Sequence, residues 1–111
     1  MQSKYNLELY KMKAELCKTL SDPTRLIIIQ ELRDGEKSVG ELAQVLMTHQ
    51  AAISRHLSVL RDKGVVKSRR EGTSNYYTLS DAKIAEACSL VHEILLSQIE
   101  KKREFAEKVI T

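Results

Sequence analysis

Gln50, Ser54 and Arg55 lie close together, and they carry the hydrogen-bonding groups that read base edges. Glutamine pairs with adenine, arginine pairs with guanine, and serine accepts several partners. Thr48 and His49 precede them, and Ala51 and Ser58 are small or polar neighbours. The candidate contact set is therefore Thr48, His49, Gln50, Ala51, Ser54, Arg55 and Ser58. Further along, Arg69 and Arg70 stand beside Gly72 and Thr73. Two guanidinium forks next to small turn residues suit the sugar–phosphate backbone, which sets position and affinity more than sequence choice. Cys17 and Cys88 offer a second chemistry. Two cysteines cannot form the disulfide framework of a secreted domain, and in a reducing compartment they are thiols unless oxidised or ligated. His49, His56 and His92 are scattered without an evident acid partner. There is no metal-hydrolase spacing, no glycine-rich phosphate loop and no nucleophile elbow, so the sequence predicts no enzyme.

Bulk properties agree with that chemistry. A chain of 111 residues predicts a single domain, 1–111, whose modest core would gain from pairing with a second copy. No apolar run approaches the length of a membrane span, and Met1 to Asn6 has no apolar stretch behind its charge. The expectation is a cytoplasmic protein with no membrane partner. The net charge is only +3, but it is unevenly spread. From His49 to Tyr77 six basic residues face two acidic ones, a net +4, so the rest of the chain is slightly negative. A basic excess gathered in one third of the chain is the footprint of a phosphate-binding surface.

Five helices and a hairpin must hold these residues. Leu9, Met12, Leu16 and Leu20 recur at helical spacing over about 4–20. Ser21-Asp22-Pro23 stops that helix and starts another, with Asp22 as cap and Pro23 in the first turn. This second helix runs to Arg33, carries Leu26, Ile27, Ile29 and Leu32, and ends at Asp34-Gly35. Ser38 and Glu41 form a capping box for a short helix over 39–46. After Met47, with Thr48 as cap, a helix runs to Lys63 with Ala52, Ile53, Leu57 and Leu60 as its apolar stripe. The period then changes to alternation: 65–70 and 75–79 read as two strands joined by turn residues 71–74. Tyr76 and Tyr77 point to opposite faces, one toward the core and one toward the surface. Ser80 or Asp81 caps a long helix to about Lys108, with Ile84, Cys88, Val91, Leu95, then Phe105 and Val109 on a seam of alternating three and four spacing, and Gln98 and Lys102 in the intervening seam positions. The fold class is mainly α, a winged helix–turn–helix of five helices and a two-stranded wing. Segment 38–79 is the expected DNA-binding core, and the seam makes 81–111 a dimerising or bundle-forming helix. In this layout the second helix of the pair enters the major groove of a duplex.

The runs Leu20-Ser21-Asp22-Pro23-Thr24-Arg25-Leu26, Ser38-Val39-Gly40-Glu41-Leu42, Ile53-Ser54-Arg55-His56-Leu57-Ser58-Val59-Leu60-Arg61 and Arg69-Arg70-Glu71-Gly72 together resemble the ArsR, or arsenic-repressor, family. The resemblance spans about residue 5 to residue 98. It implies a homodimer joined by its first and last helices, 1–20 and 81–111. It further implies a repressor that binds a double-stranded operator, an inverted repeat, and leaves it when an inducer acts. A winged helix that serves as a protein-interaction module without DNA binding is the alternative of another class.

The resemblance also poses the question of the inducer. One metal site of the family uses a Cys-x-Cys pair on the first helix of the helix–turn–helix, where this chain has Glu41-Leu42-Ala43-Gln44-Val45-Leu46 and no thiol. A second site uses Asp and His pairs on the last helix. Asp81 is present, but Lys83 stands in place of the paired His, and Ile94 and Ser97 lie nearer the other expected positions than His92 does. A cation in place of a lone pair disfavours zinc there. Cys17 and Cys88 remain, with His92 one turn beyond Cys88. If the family dimer packs the first and last helices together, the two thiols could meet. Thiol redox or persulfide chemistry is one reading. A soft metal or metalloid held by Cys17, Cys88 and His92 is another. A third makes both thiols small core hydrophobes with no cofactor at all. Persulfide-responsive members place their first thiol on the second helix, near Ile29 or Gln30 here, so that mechanism carries over as a theme.

Overall fold

The computed structural model describes residues 4–110. Positions 1–3 and 111, at the ends of the expected domain, lie outside the described residues, and so does the reading of Met1-Gln2-Ser3 as lacking a leader. Five helices and three strands follow in the order α1 (Leu7–Leu20), α2 (Pro23–Leu32), β1 (Lys37–Ser38), α3 (Val39–Leu46), α4 (Gln50–Asp62), β2 (Val66–Glu71), β3 (Ser74–Leu79) and α5 (Lys83–Ile110). No described helix is long and apolar enough to cross a membrane.

Local chemistry fixes most of the boundaries. Asn6 caps α1 by accepting from the Leu9 amide, which starts that helix later than the apolar spacing suggested. Asp22 accepts from the amides of Thr24 and Arg25, and Pro23 opens α2 without an orphan donor. Both halves of the Ser38–Glu41 capping box are formed. Thr48, expected to cap α4, belongs instead to the end of α3. Its amide bonds to the Ala43 carbonyl at 3.0 Å while the Met47 amide bonds to Gln44 at 3.2 Å. That is a Schellman ending, with Met47 in the left-handed position at φ 54°. His49 takes the cap position of α4 and makes no side-chain cap bond. Asp81 accepts from the Lys83 amide, so α5 begins at Lys83 and not at Asp81.

The sheet is three-stranded, in the order β1-β3-β2, and not the two strands that alternation predicted. Lys37 and Ser38 pair with Tyr77 and Tyr76. Two residues are too few to show a period, so this strand left no pattern to read. The hairpin also closes further than expected. Glu71 pairs with Ser74, leaving Gly72 and Thr73 as a two-residue turn with Gly72 at φ 61°.

The core lies where α2, α3, α4, the sheet and the start of α5 meet. It is built from Ile28, Ile29, Leu32, Leu42, Ala43, Ile53, Leu57, Leu60, Val65, Val66, Tyr77 and Ala85. In α2 the buried residues are Ile28, Ile29 and Leu32, so Ile29 and Leu32 of the predicted stripe are in the core, while Leu26 and Ile27 are exposed and Ile28 takes their place. Ile84 and Cys88 pack on the core's margin, but Val91, Leu95, Phe105 and Val109 of the same seam are exposed. Leu9, Met12 and Leu16 of α1 are exposed likewise.

Candidate nucleic-acid interface

The apolar stripe of α4 decides which side chains it shows to solvent. Ile53, Leu57 and Leu60 are fully buried, so the helix cannot rotate without exposing them. Gln50, Ala51, Ser54, Arg55 and Ser58 are then all exposed, with Thr48 and His49 exposed at the amino end. A shallow groove runs along the turn, lined by Gly40, Ala43, Gln44, Met47, Thr48, His49 and Gln50. A β-carbon at Gly40 would stand 3.5 Å from Nε2 of Gln50.

The wing divides its two arginines. Arg70 donates to the Gly72 carbonyl, 3.1 Å away across the turn. Arg69 is bound on three sides. Its Nε and Nη2 each donate to the Glu36 carboxylate at 2.6 Å, and Nη1 donates to Glu71 at 2.8 Å. The guanidinium lies 4.8 Å above the centre of the Tyr76 ring. The hydrogen bonds from Arg69 hold the Glu36 carboxyl below the usual glutamate range, and the same bonds raise the Arg69 value. Tyr77, the other member of the tyrosine pair, is buried in the core. The two rings do face opposite ways.

His56, on α4, accepts a hydrogen bond at Nδ1 from Nε of Arg25, 3.2 Å away. Neither Arg25 nor Glu36 was singled out from sequence. Their partners lie 31 and 33 residues away, beyond any local pattern.

The sulfur positions differ in character. Cys17 is exposed on α1, so in the single chain it is no core hydrophobe. Cys88 is partly buried on α5 against the core, and burial raises its thiol pKa. His92 is exposed on α5. Among the described residues of one chain, Cys17, Cys88 and His92 are not gathered into a three-ligand cluster.

Comparison with known proteins follows the same lines. The family model for bacterial regulatory proteins of the arsR family matches residues 22–68. The biofilm growth-associated repressor of Xylella fastidiosa is 41% identical over 85 residues, 77% of this chain and 75% of that one. The Rv0081 crystal structure from Mycobacterium tuberculosis aligns with a TM-score of 0.76 at 36% identity, over 85% of this chain and 95% of its own. The homodimeric winged helix–turn–helix DNA-binding domain of Mb0332 from Mycobacterium bovis, solved by NMR, aligns at 0.74 and 30% identity, over 86% and 88%.

Proposed function

The chain belongs to the ArsR family of bacterial regulatory proteins, so it is a DNA-binding transcriptional regulator and not an enzyme, and on that premise we propose that it is a homodimeric repressor whose hold on an inverted-repeat operator is released through its thiols. The observation that carries the DNA-reading part is the exposed face of α4. Gln50, Ser54 and Arg55 lead into the major groove, Thr48 and His49 approach a phosphate, and Ala51 and Ser58 admit close contact. Arg70, Gly72 and Thr73 reach the backbone from the wing. The similarity to a repressor supports the direction of regulation.

The exposed apolar faces of α1 and α5 support the dimer. Leu9, Met12 and Leu16 on one helix, and Val91, Leu95, Phe105 and Val109 on the other, are exposed apolar side chains of the kind that a protein–protein contact covers. Cys17 and Cys88 lie on those same two helices, so association governs how the thiols meet. A peroxide or polysulfide would take up two electrons as the two thiols lose their protons and join in a disulfide. The strain of accommodating that bond would then move α1 and α5.

The test uses a duplex selected from a random pool by the reduced protein. Fluorescence anisotropy before and after polysulfide treatment, with mass spectrometry on the same samples, should show loss of binding together with a Cys17–Cys88 link. Arg55→Ala should weaken binding and relax base choice at one position of each half-site. If the Cys17→Ser and Cys88→Ser variants respond like the parent, the thiol mechanism is wrong. If no duplex is selected, the operator-reading role of α4 is wrong.

A further inference from the structure

Arg25 lies in the first turn of α2, and its backbone amide bonds to the capping Asp22. Its side chain leaves that helix. Nη1 donates to the Thr19 carbonyl of α1 at 3.1 Å, and Nε donates to Nδ1 of His56 on α4 at 3.2 Å. One planar guanidinium thus ties together the end of α1, the start of α2 and the back of α4.

Two chemical details make this joint specific. Thr19 is buried, and its carbonyl is one of the last four of α1, which have no acceptor role inside the helix. Arg25 satisfies that carbonyl and sets a cation at the negative end of the α1 dipole. An Nδ1 that accepts from Arg25 is the lone-pair nitrogen of the ring, so the tautomer with its proton on Nε2 is the one that makes this bond. The guanidinium fork is rigid, so it fixes the distance between the groups it bridges better than a lysine would. His56 directly follows Arg55 and sits between the buried Ile53 and Leu57. The joint therefore holds α4 from behind while the contact set points forward.

We infer that Arg25 is a positioning residue for DNA reading, which locks α4 to the carboxyl end of α1 so that a displacement of α1 is passed to the contact surface. This rests on the reading of α4 as the helix that enters the groove. Cys17 lies two residues before Thr19. Chemistry at that thiol therefore acts on the stretch of helix that Arg25 grips.

The experiment measures binding to the selected duplex and to a scrambled one across a salt series, for the parent, Arg25→Ala, Arg25→Lys, His56→Gln and His56→Leu. Circular dichroism and a melt check that each variant is folded at the assay temperature. Arg25→Ala and His56→Leu should each weaken the selected duplex by about tenfold. The scrambled duplex and the salt slope should not change, and a variant carrying both Arg25→Ala and His56→Leu should lose no more than either single. His56→Gln, whose amide oxygen can accept from Nε, should stay within about twofold of the parent. Arg25→Lys, with a single ammonium for two acceptors, should fall between. Unchanged affinity in Arg25→Ala overturns the inference, as does an equal loss on both duplexes. A salt slope lowered by one phosphate contact also overturns it, because Arg25 would then touch DNA directly. If the parent prefers no sequence, the role of α4 itself fails.

Discussion

Glu36→Gln separates two roles for Arg69 that the sequence could not. As a free cation at the wing, Arg69 would contact a phosphate, and Glu36 would only compete for it. As a strap, Arg69 crosses the sheet from β2, over Tyr76 on β3, to the carboxylate just before β1, and so sets the angle of the wing. Three charge-assisted bonds at 2.6–2.8 Å, with the ring beneath, favour the strap. The magnitude follows from counterion release. Each phosphate contact on B-form DNA adds about 0.9 to the slope of log affinity against log salt. Arg70→Ala should therefore flatten the slope by roughly 0.9 for each wing engaged. Arg69→Ala and Glu36→Gln should leave the slope alone. Each should lower affinity by about threefold, the scale of an exposed pair that orders a surface element, and together no further. Anisotropy titrations at four or so salt concentrations measure both quantities. Tighter binding and a steeper slope in Glu36→Gln would refute the strap, since they would mean that a released Arg69 had found a phosphate.

Met47 holds a left-handed backbone with its side chain 92% exposed, so Met47→Gly should relieve strain and lose no packing. The net gain should be about 0.5–1 kcal/mol after the entropy of glycine is subtracted, visible as a rise of a few degrees in Tm; a lower Tm would show that the side chain has a partner. Cys17 should react with iodoacetamide before Cys88 at neutral pH, with Cys88 catching up as pH rises, because burial keeps its thiol protonated; mass spectrometry of timed samples decides this. Glu36 is lowered by Arg69, so the strap persists above the ordinary glutamate range and is lost as pH falls through the lowered value. Carboxyl NMR should find Glu36 titrating low in the parent and in the ordinary range in Arg69→Ala, and equal values in both would remove the bond as the cause.

The parts of the fold that were legible share one property, which is that their causes are local. Asp22-Pro23, Ser38 with Glu41, and Gly72 each act within a few residues, and each was readable for that reason. The exposed face of α4 was legible because its complement, Ile53, Leu57 and Leu60, keeps a helical period. What escaped was either too short or too distant. β1 has two residues, and the choice of Ile28 over Ile27 depends on how α2 lies against α3 and α4. The bond between Arg69 and Glu36 escaped for another reason. Charge counting treats every arginine as available, whereas Glu36 reaches this one across the sheet. Thr48 misled because a capping residue type can equally close the turn before a helix, and the amide of Thr48 was already committed to α3.

The core stops partway along α5, and this divides the chain into two kinds of surface. Up to Cys88 the seam is occupied by this chain's own residues, so the DNA-reading half has a complete interior of its own. Beyond it Val91, Leu95, Phe105 and Val109 are exposed, with Gln98 and Lys102 at the seam positions between them. An apolar face that passes from internal to external along one helix fits the proposed homodimer: the partner continues the core. Cys88 sits at that change, and Arg25 grips the last turn of the other exposed helix. A shift in how the two copies pack would then enter at the margin of the core through α5 and at the back of α4 through α1. Neither route requires a change in the side chains that face DNA.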